Sequence, residues 1–137
     1  MIQPEMKDLH IIIVEDDLDD GEFMFKSFAR HPSFRKVEWA KNGKALLDLL
    51  ETPDHPKPDL ILTDINMPII NGMEALEALS QDPALSAIPI FACSSTVNPI
   101  YKKRCMELGT RAFLTKPFDL FEYDLFPNKI ISALRTF

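Results

Sequence analysis

Two kinds of hydrophobic pattern alternate along the chain. Short runs of mainly β-branched and aliphatic residues, typical of buried strands, lie at 9–14, 60–63 and 88–93, and a further strand is predicted at 111–115. A short and weaker strand is predicted at 36–40. Apolar residues recur at helical spacing in five other segments, 22–31 (with Phe25, Phe28 and Ala29), 43–51, 73–80, 99–108 and 120–134. Five strands that alternate with five helices predict an α/β fold, with a parallel sheet, right-handed crossovers and helices on both faces.

Capping and turn residues mark the ends of several predicted helices. Asn42 and Asn98 are predicted N-caps, and Gly109 supplies the left-handed residue that ends the fourth helix. Pro127 has no backbone N–H to donate, so it should break the first turn of the last helix or delay its start.

Polar residues follow four of the five predicted strands. In an open α/β sheet the ligand site lies beyond the carboxyl ends of the strands, so these residues should meet at one edge. Clustered carboxylates repel one another unless a cation lies among them, and oxygen ligands select a hard cation such as Mg²⁺ or Mn²⁺. Since Mg²⁺ keeps positions for water and phosphate oxygens, the set suits a phosphoryl group. Its members are Glu15, Asp16, Asp17, Asp64, Ser94, Ser95 and Lys116.

Length, composition and charge narrow the class of protein. A chain of 137 residues fits one domain, and 46% hydrophobic with 26% charged residues is typical of a globular protein. The chain contains no run near the roughly 20 apolar residues of a membrane span, and residues 1–8 lack the apolar core of a secretory signal. We therefore expect a cytoplasmic protein. The net charge of -6 argues against nucleic-acid binding, and Cys93 and Cys105, which lack metal-ligand spacing, are predicted to be buried thiols.

Four segments carry a resemblance to a known family. The chain resembles the receiver domain of two-component response regulators from about Asp8 to its C-terminus. The resemblance implies a flavodoxin-like strand order of 2-1-3-4-5 and a single domain over 1–137, with a core of about 8–135. It also implies a phosphoacceptor signalling protein, and not an enzyme beyond its own phosphoryl uptake and autodephosphorylation. The segments are Val14 to Asp17, Asp64 to Gly72, Ile88 to Ser95, and Phe113 to Phe118.

The same resemblance assigns the acidic residues. Asp64 stands where the family keeps its phosphoaccepting aspartate, and a carboxylate is an adequate nucleophile once the phosphoryl charge is neutralised. Asp16 would bind Mg²⁺ directly and Glu15 directly or through water, with Mn²⁺ as a possible substitute. Asp64 and the backbone carbonyl of Asn66 would complete the four protein ligands. Asp16 or Asp17 capping the first helix is the structural alternative.

Three further residues complete the expected switch. Lys116 would pair with Asp64 and contact the phosphoryl oxygens, and the bond from Lys116 to Pro117 would be cis. Ser94 would donate its hydroxyl to the phosphoryl group, although Ser95 and Thr96 offer alternatives nearby. Phe113 would move with Ser94; a phenylalanine keeps the packing role of the tyrosine that is commonest at this position but lacks its hydroxyl.

The expected output is binding to another protein. The fourth helix, fifth strand and fifth helix would form the surface, with Ile100, Tyr101, Arg104 and Phe113 as contacts. Only the last helix follows the fifth strand, which predicts a stand-alone receiver without direct DNA or membrane binding. Its partners would be a sensor histidine kinase or phosphotransfer protein and an unknown downstream protein. The Val-Glu-Asp-Asp opening and the long loop before the third strand are most similar to small regulators paired with phytochrome-type kinases.

Three alternative functions fit the sequence less well. A receiver fold that binds a partner without phosphorylation has no use for the set of Asp16, Asp64 and Lys116. A haloacid-dehalogenase-like phosphatase needs a second acid two residues after its nucleophile, where this chain has Asn66. A flavodoxin-type FMN site needs a hydroxyl- and glycine-rich loop where this chain has acids.

Overall fold

Five parallel strands form one sheet in the order β2-β1-β3-β4-β5, with a helix after each strand. The computed structural model describes residues 7–65, 72–96 and 98–135. The fold class and strand order that the sequence and the resemblance predicted are confirmed. The elements are β1 Leu9–Val14, α1 Leu18–Arg30, β2 Phe34–Ala40, α2 Gly43–Glu51, β3 Leu60–Asp64, α3 Gly72–Gln81, β4 Ile90–Ser94, α4 Pro99–Glu107, β5 Ala112–Thr115 and α5 Leu120–Arg135.

Each face of the sheet has its own hydrophobic core, because successive side chains of a strand point to opposite faces. Ile12 of β1 packs on the side of α2, α3 and α4, with Leu46, Leu76 and Cys105. Ile11 and Ile13 pack on the side of α1 and α5. This second core also contains Met24, Phe28, Phe91, Phe126 and Ile130. The central strands β1, β3 and β4 are therefore largely apolar on both sides, and the charged side chains of the site lie beyond their carboxyl ends.

The first helix begins earlier than predicted. Asp17 is its N-cap and accepts a hydrogen bond of 2.9 Å from the backbone N–H of Asp20. This cap places Asp19 and Asp20 in the first helical turn, where their negative charges interact favourably with the helix dipole and stabilise the helix. The predicted apolar stripe is corrected accordingly: Met24 and Phe28 are buried, whereas Phe25 is 37% exposed.

Two expectations about proline were wrong. Pro127 lies inside α5 and does not break the helix. Tyr123, Phe126 and Ile130 are buried on both sides of it, and their packing outweighs the hydrogen bond that proline cannot make. The described residues contain no cis peptide bond, so the bond between Lys116 and Pro117 is trans, the lower-energy form.

The predicted caps of α2 and α4 are confirmed. The side chain of Asn42 accepts a hydrogen bond of 2.8 Å from the N–H of Ala45, and Asn98 accepts one of 2.9 Å from Ile100. Gly109 has a φ of +93°, the left-handed conformation expected after α4. These caps determine where α2 and α4 begin and where α4 ends.

Candidate functional site

The carboxyl ends of β1, β3 and β5 bring charged residues together at one edge of the sheet. Val14 pairs with Thr63 in register, so Glu15 and Asp64 emerge side by side. The backbone N–H of Lys116 donates a hydrogen bond of 2.9 Å to the carbonyl of Ser94, which places Lys116 at the same edge. An open cavity of about 690 Å³ lies above them. Asp16, Leu18, Asp20, Asp64, Ser95 and Lys116 are among its lining residues.

The ammonium of Lys116 contacts three carboxylates. Its Nζ lies 3.1 Å from Oδ2 of Asp64 and 3.2 Å from Oδ2 of Asp20, and it also forms an ion pair with Glu15. An ammonium has three N–H donors, so three acceptors can satisfy it without water. The Lys116 side chain is only 9% exposed. The predicted pairing of Lys116 with Asp64 is therefore present in the structure.

Burial and neighbouring charges have opposing effects on the pKa values of Glu15 and Lys116. Burial of Glu15 raises its pKa to about 9, and neighbouring Asp64 adds to the increase while Lys116 opposes it. Burial by itself would lower the pKa of Lys116, but the hydrogen bond and charge of Glu15, followed by Asp64, raise it. Lys116 consequently stays charged, and an additional cation would favour the ionised form of Glu15.

The acidic cluster fits a divalent metal ion. Glu15, Asp16 and Asp64 each offer a carboxylate oxygen, and these atoms lie within 4.8 Å of one another. Glu15 is fully buried, and its Oε2 has no hydrogen-bond partner. An unpartnered buried oxygen among carboxylates is the arrangement that a hard cation relieves. The fourth predicted ligand, the backbone carbonyl of Asn66, lies outside the described residues.

Ser94 and Phe113 lie on neighbouring strands and on one face of the sheet. Ser94 pairs with Thr115, and Ala92 pairs with Phe113, so the two side chains are two residues apart in register. Ser94 is 2% exposed, and Phe113 packs against the core on the side of α4. The alternative hydroxyl of Ser95 lines the cavity together with Asp64. Ser94 follows Cys93, which pairs with Asp64 in register.

Asp20 belongs to this site but was not among the residues predicted from the sequence. Its Oδ2 contacts Lys116, and its Oδ1 accepts a hydrogen bond of 3.1 Å from the hydroxyl of Tyr123 on α5. The signal was available: a helix capped by Asp17 puts Asp20 in its first turn, directly beside the strand ends. The predicted helix begins at residue 22, which leaves Asp20 outside it.

Two further properties concern the rest of the chain. Cys93 and Cys105 are both buried free thiols, as the sequence indicated. Among the described residues, the helices are too short or too polar to cross a membrane.

A model of the family described as response regulator receiver domain matches residues 11–123. The fold is similar to that of the phosphorylated cyanobacterial phytochrome response regulator RcpA, with a TM-score of 0.82 and 25% identity over 93% of this chain and 94% of that one. It is also similar to the Mn²⁺-bound form of response regulator Rcp1, with a TM-score of 0.80 and 26% identity over 90% of this chain and 92% of that one.

Curated relatives are larger proteins. The hybrid signal transduction histidine kinase M of Dictyostelium discoideum is 31% identical over 112 residues, which are 80% of this chain and 5% of that protein. This chain likewise spans 37% and 30% of the next two curated relatives. The similarity therefore covers a module within those proteins.

Proposed function

This chain belongs to the family of response regulator receiver domains, and we propose that it accepts a phosphoryl group on the carboxylate of Asp64. The observation that carries the proposal is the 3.1 Å contact between Oδ2 of Asp64 and Nζ of Lys116. Asp64 is 4% exposed and lines the cavity, so an incoming group meets its carboxylate with an ammonium already beside it.

The donor is the phosphohistidine of a sensor histidine kinase or phosphotransfer protein. An Oδ atom of Asp64 attacks the phosphorus, and the bond between phosphorus and the histidine nitrogen breaks. The imidazole leaves with the electron pair, and an acyl phosphate remains on Asp64. Lys116 binds a phosphoryl oxygen and balances its charge. Leu18, which is 62% exposed at the rim of the cavity, contacts the donor protein.

Glu15, Asp16 and Asp64 would hold Mg²⁺, with Mn²⁺ as a substitute and the carbonyl of Asn66 as the expected fourth ligand. Bound there, the ion neutralises charge on the phosphoryl oxygens. The fit rests on the unpartnered Oε2 of Glu15. The Mn²⁺-bound form of Rcp1 supports a divalent ion at such a site.

Transmission uses Ser94 and Phe113. The phosphoryl group adds nearly two negative charges and three acceptor oxygens, and the Ser94 hydroxyl donates to one of them. Phe113, two residues away in register on the same face, then repacks against α4. Ile100 of α4 is 76% exposed and Tyr101 is 44% exposed, so both are available to a downstream protein on a surface formed by α4, β5 and α5.

In this proposal residues 1–137 act as one receiver domain that signals by contact with another protein. It catalyses only its own phosphoryl uptake and autodephosphorylation. The alternative, a receiver fold that works without phosphorylation, makes the opposite prediction in the same experiment.

Intact-mass measurement tests the proposal. The protein is incubated with acetyl phosphate, with and without Mg²⁺, and compared with Asp64→Asn. A gain of one phosphoryl group that requires Mg²⁺ and is absent from Asp64→Asn supports the proposal. No gain with any small phosphodonor overturns it and favours the phosphorylation-independent module.

A further inference from the structure

Asp20 joins the phosphoryl site to the fifth helix. One of its carboxylate oxygens lies 3.2 Å from Nζ of Lys116, and the other accepts the Tyr123 hydroxyl at 3.1 Å. Asp20 lies outside the predicted metal ligands and the predicted switch pair. It nevertheless supplies one of the three carboxylates around the only cation that contacts Asp64 among the described ion pairs.

We propose that Asp20 is a positioning residue, which holds the ammonium of Lys116 beside Asp64 and is itself held by the hydroxyl of Tyr123. The inference rests on the proposed function, because it explains how Lys116 is kept ready for phosphoryl uptake. A lysine side chain has many rotamers, and fixing them before the reaction removes an entropic cost from the transfer step.

The backbone of Asp20 is well anchored. Its N–H is bound by the N-cap Asp17, so the residue is fixed in the first turn of α1. The side chain is 33% exposed, and an aspartate at this position without partners would turn toward water. Two named contacts, with Lys116 and Tyr123, keep it directed at the site instead.

Tyr123 is suited to hold Asp20. It is 5% exposed on α5, and its ring lies 5.5 Å from the ring of Phe23 on α1, centroid to centroid. Burial, and after it the charge of Asp20, raises the pKa of the Tyr123 phenol, so its hydroxyl remains a donor. The contact therefore makes α5 part of the support of Lys116.

An aspartate that acts only through its negative charge has the opposite effect on phosphoryl uptake. The direction of the change in the uptake rate therefore separates this role from a positioning role. A carboxylate near an incoming phosphoryl group repels it, so an acid that acts only by its charge slows uptake. Removing such an acid would accelerate uptake. Removing a positioning residue slows uptake although one negative charge has been lost.

The experiment compares the rate of phosphoryl uptake from acetyl phosphate in Asp20→Asn and Asp19→Asn. Asp19 precedes Asp20 in the same turn, so its variant reports the effect of the lost charge. We expect Asp20→Asn to take up the phosphoryl group roughly tenfold more slowly than Asp19→Asn, the size expected for one hydrogen bond between charged groups. Equal or faster uptake in Asp20→Asn overturns the proposal.

Tyr123→Phe removes only the hydroxyl and leaves the ring on Phe23. We expect it to slow uptake, as Asp20→Asn does, by a smaller factor and without raising the Mg²⁺ concentration at half-maximal uptake. Unchanged uptake in Tyr123→Phe would overturn the role of Tyr123.

A double-mutant cycle in urea unfolding tests the contact without any phosphoryl chemistry. The free energies of unfolding of Asp20→Asn, Lys116→Met and the double variant should be non-additive, since the two groups share an ion pair. Additive values overturn the positioning role. If the wild type takes up no phosphoryl group at all, the proposed function fails, and the cycle still decides whether Asp20 holds Lys116.

Discussion

The indole ring of Trp39 on β2 lies directly on Gly21 of α1. A β-carbon placed on Gly21 would overlap the six-membered ring of the indole. The same ring donates its N–H to the backbone carbonyl of Glu15 at 2.8 Å. Trp39 thus fixes the start of the acidic segment after β1, and it can do so because residue 21 has no side chain.

Replacement of Gly21 tests this contact. Gly21→Ala must displace the indole, and such overpacking costs about 1–3 kcal/mol, whereas alanine returns about 1 kcal/mol of helix propensity. We therefore expect a net loss of up to about 2 kcal/mol in the free energy of unfolding, measured in urea. Trp39 is the single tryptophan of the chain, so its fluorescence should change as well.

The control is Gly21→Ala in a variant that lacks the indole ring of Trp39. In Trp39→Leu, which leaves more room above residue 21, adding Gly21→Ala should cost little or be stabilising. An equal loss in both backgrounds would mean that the indole is not what excludes a side chain from position 21.

Lys116 and a divalent ion should compete for the same carboxylates. Glu15 and Asp64 contact the Lys116 ammonium and also belong to the candidate metal cluster. Lys116→Met removes the competing cation, so we expect Mn²⁺ or Mg²⁺ to bind more tightly, by roughly tenfold, while phosphoryl uptake falls at least tenfold. Calorimetric titration and uptake from acetyl phosphate measure the two effects.

The surface lysine Lys44 provides the matched control, since it pairs with Asp48 and is not among the residues that line the cavity. Lys44→Met should change neither quantity. Metal affinity that falls in Lys116→Met would contradict competition, and uptake at the wild-type rate would contradict the role of the ammonium.

Stability at acidic pH should depend on Glu38. Burial by itself would raise its pKa, but hydrogen bonds from His55 and His10 outweigh this effect and lower the pKa from the ordinary value of 4.5. A carboxyl with a lowered pKa stabilises the folded state above its unfolded pKa, and the contribution is lost as the pH falls through the folded value. The free-energy difference between wild type and Glu38→Gln should therefore shrink below about pH 4.5.

Urea unfolding at several pH values between roughly 3 and 6 measures this difference. Glu22→Gln is the control, because Glu22 pairs with Lys26 in an exposed ion pair, which contributes at most about 0.5 kcal/mol. A difference for Glu38→Gln that stays constant across this range would show that the histidine contacts do not stabilise the ionised carboxylate.

Amide hydrogen exchange can show whether Ser94 or Ser95 senses the phosphoryl group. If Ser94 senses the phosphoryl group, phosphorylation should change amide hydrogen exchange in α4, Pro99–Glu107. We expect that change to be lost in Ser94→Ala while phosphoryl uptake persists, and to be kept in Ser95→Ala. The reverse result would assign the switch to Ser95, which lines the cavity.

Most of the fold could be predicted from the sequence because its central strands, β1, β3 and β4, are largely apolar on both faces. Ile11, Ile12 and Ile13 are all fully buried, so periodicity, caps and alternation agreed for the central elements. The errors lie where tertiary contacts override local preference. Pro127 continues a helix because buried aromatic and aliphatic neighbours hold it, and local sequence carries no sign of that support.

The candidate site was predictable where topology governs position. Strand ends brought Glu15, Asp64 and Lys116 together as expected. Asp20 and Tyr123 could not be paired in this way, because their contact joins the first turn of α1 to the interior of α5. Such a contact depends on how two helices lie on one face of the sheet, which periodicity does not specify.

The central claim is that the carboxylate of Asp64 becomes an acyl phosphate. Borohydride reduces an acyl phosphate to an alcohol and so marks the phosphorylated aspartate as homoserine. After incubation with acetyl phosphate and Mg²⁺, reduction and peptide mass spectrometry should place homoserine at position 64 and nowhere else. Homoserine at Asp16 or Asp20, or none in a protein that has gained the mass of a phosphoryl group, would contradict the account.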